Sequence, residues 1–194
     1  ARFKIKSNPS AWAANLILTG ITILAVTSAT PLALLLAWAF IDLFELAAMV
    51  VAGNERRLTT NAVIVFSTRL MGTLVMMAAV AYSRVELQTM TFESISPQVG
   101  LLLLLAVGLR LGVFPLHMPF RESVPMRRGV GYVLRIAVPA SALILLPHIP
   151  GQVFSDNTRW IVYALLSLAA LYGASRWFNA KDEITGRPFW LIAL

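Results

Sequence analysis

Five ionisable residues stand inside long apolar runs, where charge is hardest to keep: Asp42, Glu45, Arg69, Arg110 and Arg135. A charged side chain at the centre of a bilayer costs roughly 3 kcal/mol or more, so such residues turn inward and pair. Asp42 and Glu45 are three residues apart, which puts both carboxylates on one face of a helix. Two acids and three bases are the parts of one of two things. They make structural ion pairs that fix helix packing, or a polar path along which a proton or cation is passed. For Arg69 and Arg135 a third reading stays open, a shallow position with the side chain snorkelling to an interface.

The stretch Gly108–Pro125, GLRLGVFPLHMPFRESVP, adds a weak point in the backbone. Arg110 closes an apolar run that begins at Val99; it is flanked by Gly108 and Gly112, with Pro115 and His117 following. A helix in lipid must satisfy its own backbone groups, so a glycine–proline break is tolerated only where it is buried in protein or lines a cavity. Break and charge together are the pattern of an ion pathway, and His117 joins it by following them. His148, at the end of a run, reads as an interfacial residue. Gly108-x-x-x-Gly112 also matches the small-residue motif for close helix approach. No phosphate loop, zinc motif, nucleophile–base set or dinucleotide fingerprint is present. With no cysteine, disulfides, thiolate metal sites and Cys-ligated clusters are excluded, and the chain is expected to carry no redox centre or other cofactor.

These residues need helices that cross lipid to position them. The 194 residues are 58% apolar, against roughly 45–50% in a soluble domain, and mean hydropathy is +0.76. Trp12–Ala29, Pro31–Ile41 and Ser141–Gly151 contain no charge. The expected fold is an all-α polytopic membrane bundle with six full spans and the start of a seventh. The spans are Trp12–Ala29, Pro31–Gly53, Asn61–Tyr82, Gln98–Phe114, Gly129–Pro147 and Arg159–Trp177, with Pro188–Leu194 entering another. Each lies near the ~20 residues that roughly 30 Å of hydrocarbon requires. Thr30 before Pro31 reads as an N-cap with proline at the first helical position.

The net charge of +7 is a matter of topology and not of nucleic acid. Eleven of the sixteen Lys and Arg residues fall at one set of span ends, two (Arg84 and Arg159) at the other, and three inside spans. That asymmetry predicts a cytoplasmic N-terminus. Trp12, Tyr82, Trp160, Trp177 and Trp190 sit at span ends as an interfacial aromatic belt. The chain divides into a basic N-terminal segment, 1–11, a five-helix unit, 12–147, and a third part, 148–194, holding the sixth helix, a cytoplasmic loop and the start of a further helix.

At Arg110–Pro125 the sequence resembles the antiporter-like membrane subunits of respiratory complex I and their Mrp cation-antiporter relatives. That family carries a lysine in a broken helix, then Pro-x-His, Trp-Leu-Pro and a later proline opening the next helix. Here RLGVFPLH supplies Arg110 at the lysine position, Pro115 and His117, and the later proline is Pro125. The family's earlier helix carries Trp-Glu, the glutamate being the lysine's partner; LLLAWAFIDLFEL supplies Trp38 and then Ala39. The resemblance makes Trp12–Pro147 one of two inverted five-helix units. The departures are definite. Alanine stands for the glutamate, with Asp42 and Glu45 one and two turns further on. Arginine stands for the lysine, Trp-Leu-Pro is missing, and Arg135 matches neither charged residue of the family's next helix.

A lysine so placed passes a proton on, whereas arginine holds its proton in proteins, so Arg110 is expected to be a fixed positive charge. The resemblance implies a membrane-arm subunit of a complex I-like, proton-translocating NADH:quinone oxidoreductase. It would sit with other membrane subunits in an energy-coupling membrane such as a bacterial inner membrane. Its proton or cation path runs on Asp42 and Glu45, or is degenerate. A related cation/proton antiporter or inorganic-carbon uptake complex is the second expectation, and a non-transporting scaffold the third.

Overall fold

The computed structural model describes residues 9–52, 56–87, 91–92, 95–113, 128–181, 186 and 189. Among them every regular element is a helix: α1 (Pro9–Val26), α2 (Pro31–Ala52), α3 (Arg56–Leu87), α4 (Pro97–Arg110), α5 (Arg128–Leu143) and α6 (Asp156–Phe178). Two short 3-10 turns, Leu146–His148 and Gly151–Val153, lead from α5 to α6.

The starts of α2 and α4 follow from their first residues. Thr30 accepts the amide of Ala33 through its hydroxyl at 3.3 Å, and Pro31 takes the first helical position, where its missing N–H is no loss. Ser96 accepts from the amide of Val99 at 3.5 Å ahead of Pro97 in the same way. Glycine decides where α4 ends. Gly112 has φ 74°, the left-handed region, and the amide of Val113 donates back to the carbonyl of Gly108 at 3.0 Å. That is a Schellman ending, with Gly112 as the residue just past the cap. The expected break therefore falls at Gly112, directly after Arg110; Pro115 lies outside the described residues.

The six expected spans turn out as six helices of unequal reach. Three contain stretches long and apolar enough to cross a membrane: Pro31–Ala48 in α2, Val63–Val85 in α3 and Asn157–Phe178 in α6. The apolar parts of the other three are shorter. At 1.5 Å per residue the 14 residues of α4 cover about 21 Å, well under the ~30 Å of a bilayer core, because Gly112 stops the helix. α5 contains Pro139 and loses regular pairing at its end, where the amide of Leu145 bonds the carbonyl of Ala142 three residues back. Of the expected seventh span, Pro188–Leu194, only Phe189 is among the described residues.

The core is built by the first five helices. Leu18 and Ala25 of α1, Leu34, Trp38 and Ile41 of α2, Met76 and Ala79 of α3, Leu103 and Ala106 of α4 and Val138 of α5 form one cluster. α2 packs against α1, α3 and α5, and α4 packs against α3 and α5. α3 and α4 pack closely at Gly72. A Cβ there would lie 2.8 Å from Cγ of Arg110 and 3.2 Å from the carbonyl oxygen of Ala106. A small-residue contact is thus made from α3, at Gly72, and Gly112 serves the turn. α6 gives no residue to the core cluster, and 11% of its apolar stretch is buried against 39% for the stretches in α2 and α3. Its exposed Trp160, Ile161, Leu168 and Leu171 are no anomaly in lipid, which solvates such side chains as well as a neighbouring helix does.

Candidate functional site: two buried ion pairs across three helices

Along α2 the positions 38, 42 and 45 follow the helical repeat and share the face turned into the bundle. Trp38 is fully buried, and Asp42 and Glu45 are 2% and 6% exposed. α3 brings Arg69 and Thr73, one turn apart and both buried. α4 brings Arg110, its last helical residue, with no exposed surface. In that position the guanidinium lies in the last turn, where a cation complements the negative end of the helix dipole.

Arg110 and Asp42 meet as a two-pronged pair. Nη1 of Arg110 donates to Oδ2 of Asp42 at 2.8 Å and Nη2 to Oδ1 at 2.9 Å. This is the geometry that the planar guanidinium fork makes and an ammonium does not. Thr73 completes it. Its Oγ1 accepts from Arg110 Nη1 at 2.8 Å and stands 2.8 Å from Asp42 Oδ2. The hydroxyl has one proton, and the carboxylate takes it in preference to the Arg69 carbonyl at 3.4 Å. The ring of Trp38 lies over the guanidinium, 4.3 Å from Cζ to the ring centroid, a cation–π contact in a desolvated setting. Its Nε1 donates to the carbonyl of Ser141 at 3.3 Å. That carbonyl is near the C-terminus of α5, where the helical ladder has run out, so the indole caps an otherwise orphaned acceptor.

One turn further along α2, Glu45 pairs with Arg69 through Oε2 and Nη1. Beside this pair lies a narrow crevice lined by Asp42, Glu45, Leu46, Phe66 and Arg69, with no room for a water molecule. Leu46 and Phe66 are half-buried and close it. The result is a ladder of alternating charge. Two acids of α2 are answered by one base from α3 and one from α4, and all four are withdrawn from solvent and lipid.

Of the expected pathway residues, Asp42, Glu45, Arg69 and Arg110 come together, with Gly108 and Gly112 shaping the helix end beside them. Arg69 does not snorkel: it is 4% exposed and held by Glu45. Arg135 lies on α5, and its side chain is outside what the structure describes. His117 lies outside the described residues. Thr73, Gly72 and the role of Trp38 toward Arg110 are not evident from the sequence. Their one sequence signal is spacing, since Gly72 and Thr73 stand three and four residues after Arg69 and so share its face.

Comparison of the sequence with protein-family models and with curated proteins returns no match, so what this chain does rests on its own residues.

Proposed function

We propose that this chain is an antiporter-like subunit in the membrane arm of a complex I-like oxidoreductase, one in which the carboxylates of α2 carry the transferred proton or cation. One observation carries the reading. The acid expected at position 39 is absent, yet Asp42, one turn on, reaches the cation at the α4 break and grips it with both oxygens. An acid of one apolar helix is thus paired with a base at the broken end of another, as the resemblance implies, with both partners changed. Arg110 acts as a fixed charge that orders Asp42 and Thr73. Glu45, whose oxygen faces Arg69 beside the crevice, is the carboxylate placed to gain and lose a proton. Protonation there removes the charge that holds Arg69 and leaves that guanidinium to answer Asp42, which lines the same crevice. Charge is then displaced along α2 without any arginine giving up its proton.

Vesicles carrying the assembled complex test this through proton and sodium flux. Glu45→Gln is expected to abolish flux, Asp42→Asn to reduce it strongly and Arg110→Lys to retain part of it. Unchanged flux in both carboxylate variants, with assembly intact, defeats the proposal. Co-purification with iron–sulfur and flavin proteins supports the oxidoreductase assignment; antiporter subunits or a zinc protein in their place point to the related assemblies. The closed crevice and the complete pairing of both acids favour a second reading, a non-transporting scaffold, which predicts loss of assembly and not of flux.

A further inference from the structure

We infer that the cavity between the 3-10 turn at Gly151 and the first turns of α6 takes the headgroup phosphate of an anionic phospholipid. The cavity measures about 350 Å³ and is lined by Gly151, Phe154, Arg159, Val162 and Tyr163. At roughly 30 Å³ per water molecule it is large enough for about twelve waters, and hence for a phosphate with its glycerol. Its position fixes the depth. Arg159 is in the first turn of α6, whose apolar stretch Asn157–Phe178 is long enough to cross a membrane, so Arg159 stands at the level of the headgroups. Trp160 and Tyr163, exposed and edge to face at 6.3 Å, are the residue types that settle at that level.

The chemistry of the walls selects the occupant. One guanidinium and one phenol supply the donors, and Phe154 and Val162 supply apolar surface. The guanidinium favours a headgroup of net negative charge over a zwitterionic one. Free phosphate is a poor match for walls so largely apolar. An amphiphile fits: below Arg159 the helical repeat brings Val162, Leu166 and Ala170, a column that turns apolar as an acyl chain does. α6 is the least covered of the three long apolar helices, which leaves room for that chain.

The full chain, in nanodiscs of equal phosphatidylglycerol and phosphatidylcholine, is released into the gas phase and its retained lipids are counted by native mass spectrometry. A single arginine near an anionic surface predicts about a fivefold preference for phosphatidylglycerol. Arg159→Gln is expected to bring the ratio near one, Arg159→Lys to keep most of it, and Tyr163→Phe to lower it partway. Arg84→Gln, which removes an exposed charge with no such cavity, is expected to leave it unchanged. Equal retention of the two lipids by the unaltered chain overturns the proposal. So does an Arg159→Gln ratio like that of the parent, the result if Asp156 one turn earlier already holds Arg159. Loss of the ratio in Arg84→Gln makes the effect one of general surface charge, displacement by inorganic phosphate makes the site a free-anion site, and a paired copy in place of lipid makes it a self-contact. Each of these also overturns it.

Discussion

Cutting the Arg110–Asp42 pair from each side and then from both gives the sharpest test of the site. Arg110→Met removes two charge-assisted bonds to Asp42, one to Thr73 and the stacking on Trp38. Charge-assisted bonds are worth about 1.5–3 kcal/mol each and a desolvated cation–π contact about 2, but burying the two ions costs several kcal/mol apiece, so most of the gross gain cancels. What does not cancel is the orphaned carboxylate left behind. Arg110→Met and Asp42→Leu are each expected to cost about 3–5 kcal/mol, since each strands a buried charge. The double variant strands none and is expected to cost about 1–2 kcal/mol, giving a coupling of at least about 4 kcal/mol. Reversible unfolding in lipid–detergent bicelles, read by steric trapping, measures all four corners of the cycle. Hydrogen bonds between membrane helices average only about 0.6 kcal/mol by such cycles. Single costs below about 1 kcal/mol that simply add would place this pair among those ordinary contacts and refute the idea of a tightly locked site.

The other predictions follow from single positions. Gly112→Ala forces a side chain onto φ 74° and is expected to cost about 1–2 kcal/mol in the same unfolding assay, with the loss confined to the α4 end by hydrogen exchange. Gly72→Ala sets a Cβ 2.8 Å from Cγ of Arg110; a cost of about 1–3 kcal/mol is expected, and flux through the complex falls because the guanidinium is displaced from Asp42. Phe66→Ala opens the crevice over Glu45, and labelling of Glu45 by a lipid-soluble carbodiimide, followed by peptide mass spectrometry, is expected to accelerate at least severalfold, with no change at exposed carboxylates.

The parts of the site that are legible in sequence are those with a large energetic signature. Charges in apolar runs must pair, which groups Asp42, Glu45, Arg69 and Arg110, together with Arg135, by residue type and position alone, and a glycine after a charged helix end marks a break. Which acid meets which base is not legible. Ala39 and Asp42 share a face, and only the approach of α4 to α3 at Gly72 decides that Arg110 reaches Asp42 and leaves Glu45 to Arg69. Thr73 gives no warning because a threonine in an apolar helix commonly satisfies itself on the preceding turn, as Thr22 does on Leu18. Helix count is readable from hydropathy, but helix length is not. Apolarity continues past Gly112 while the hydrogen-bond ladder does not. The separation of α6 from the bundle is also invisible, because in lipid an apolar face makes the same signal whether a helix or an acyl chain covers it.

The tryptophan at position 38 touches both the guanidinium of Arg110 and the frayed tail of α5. A rigid bicyclic ring cannot follow one neighbour and ignore the other. A shift of charge that drew Arg110 away from its carboxylate would remove one of the two contacts that set the indole, the other being its bond to Ser141. One side chain thus ties α5, and the turn at Leu146–His148 that follows it, to the charged ladder.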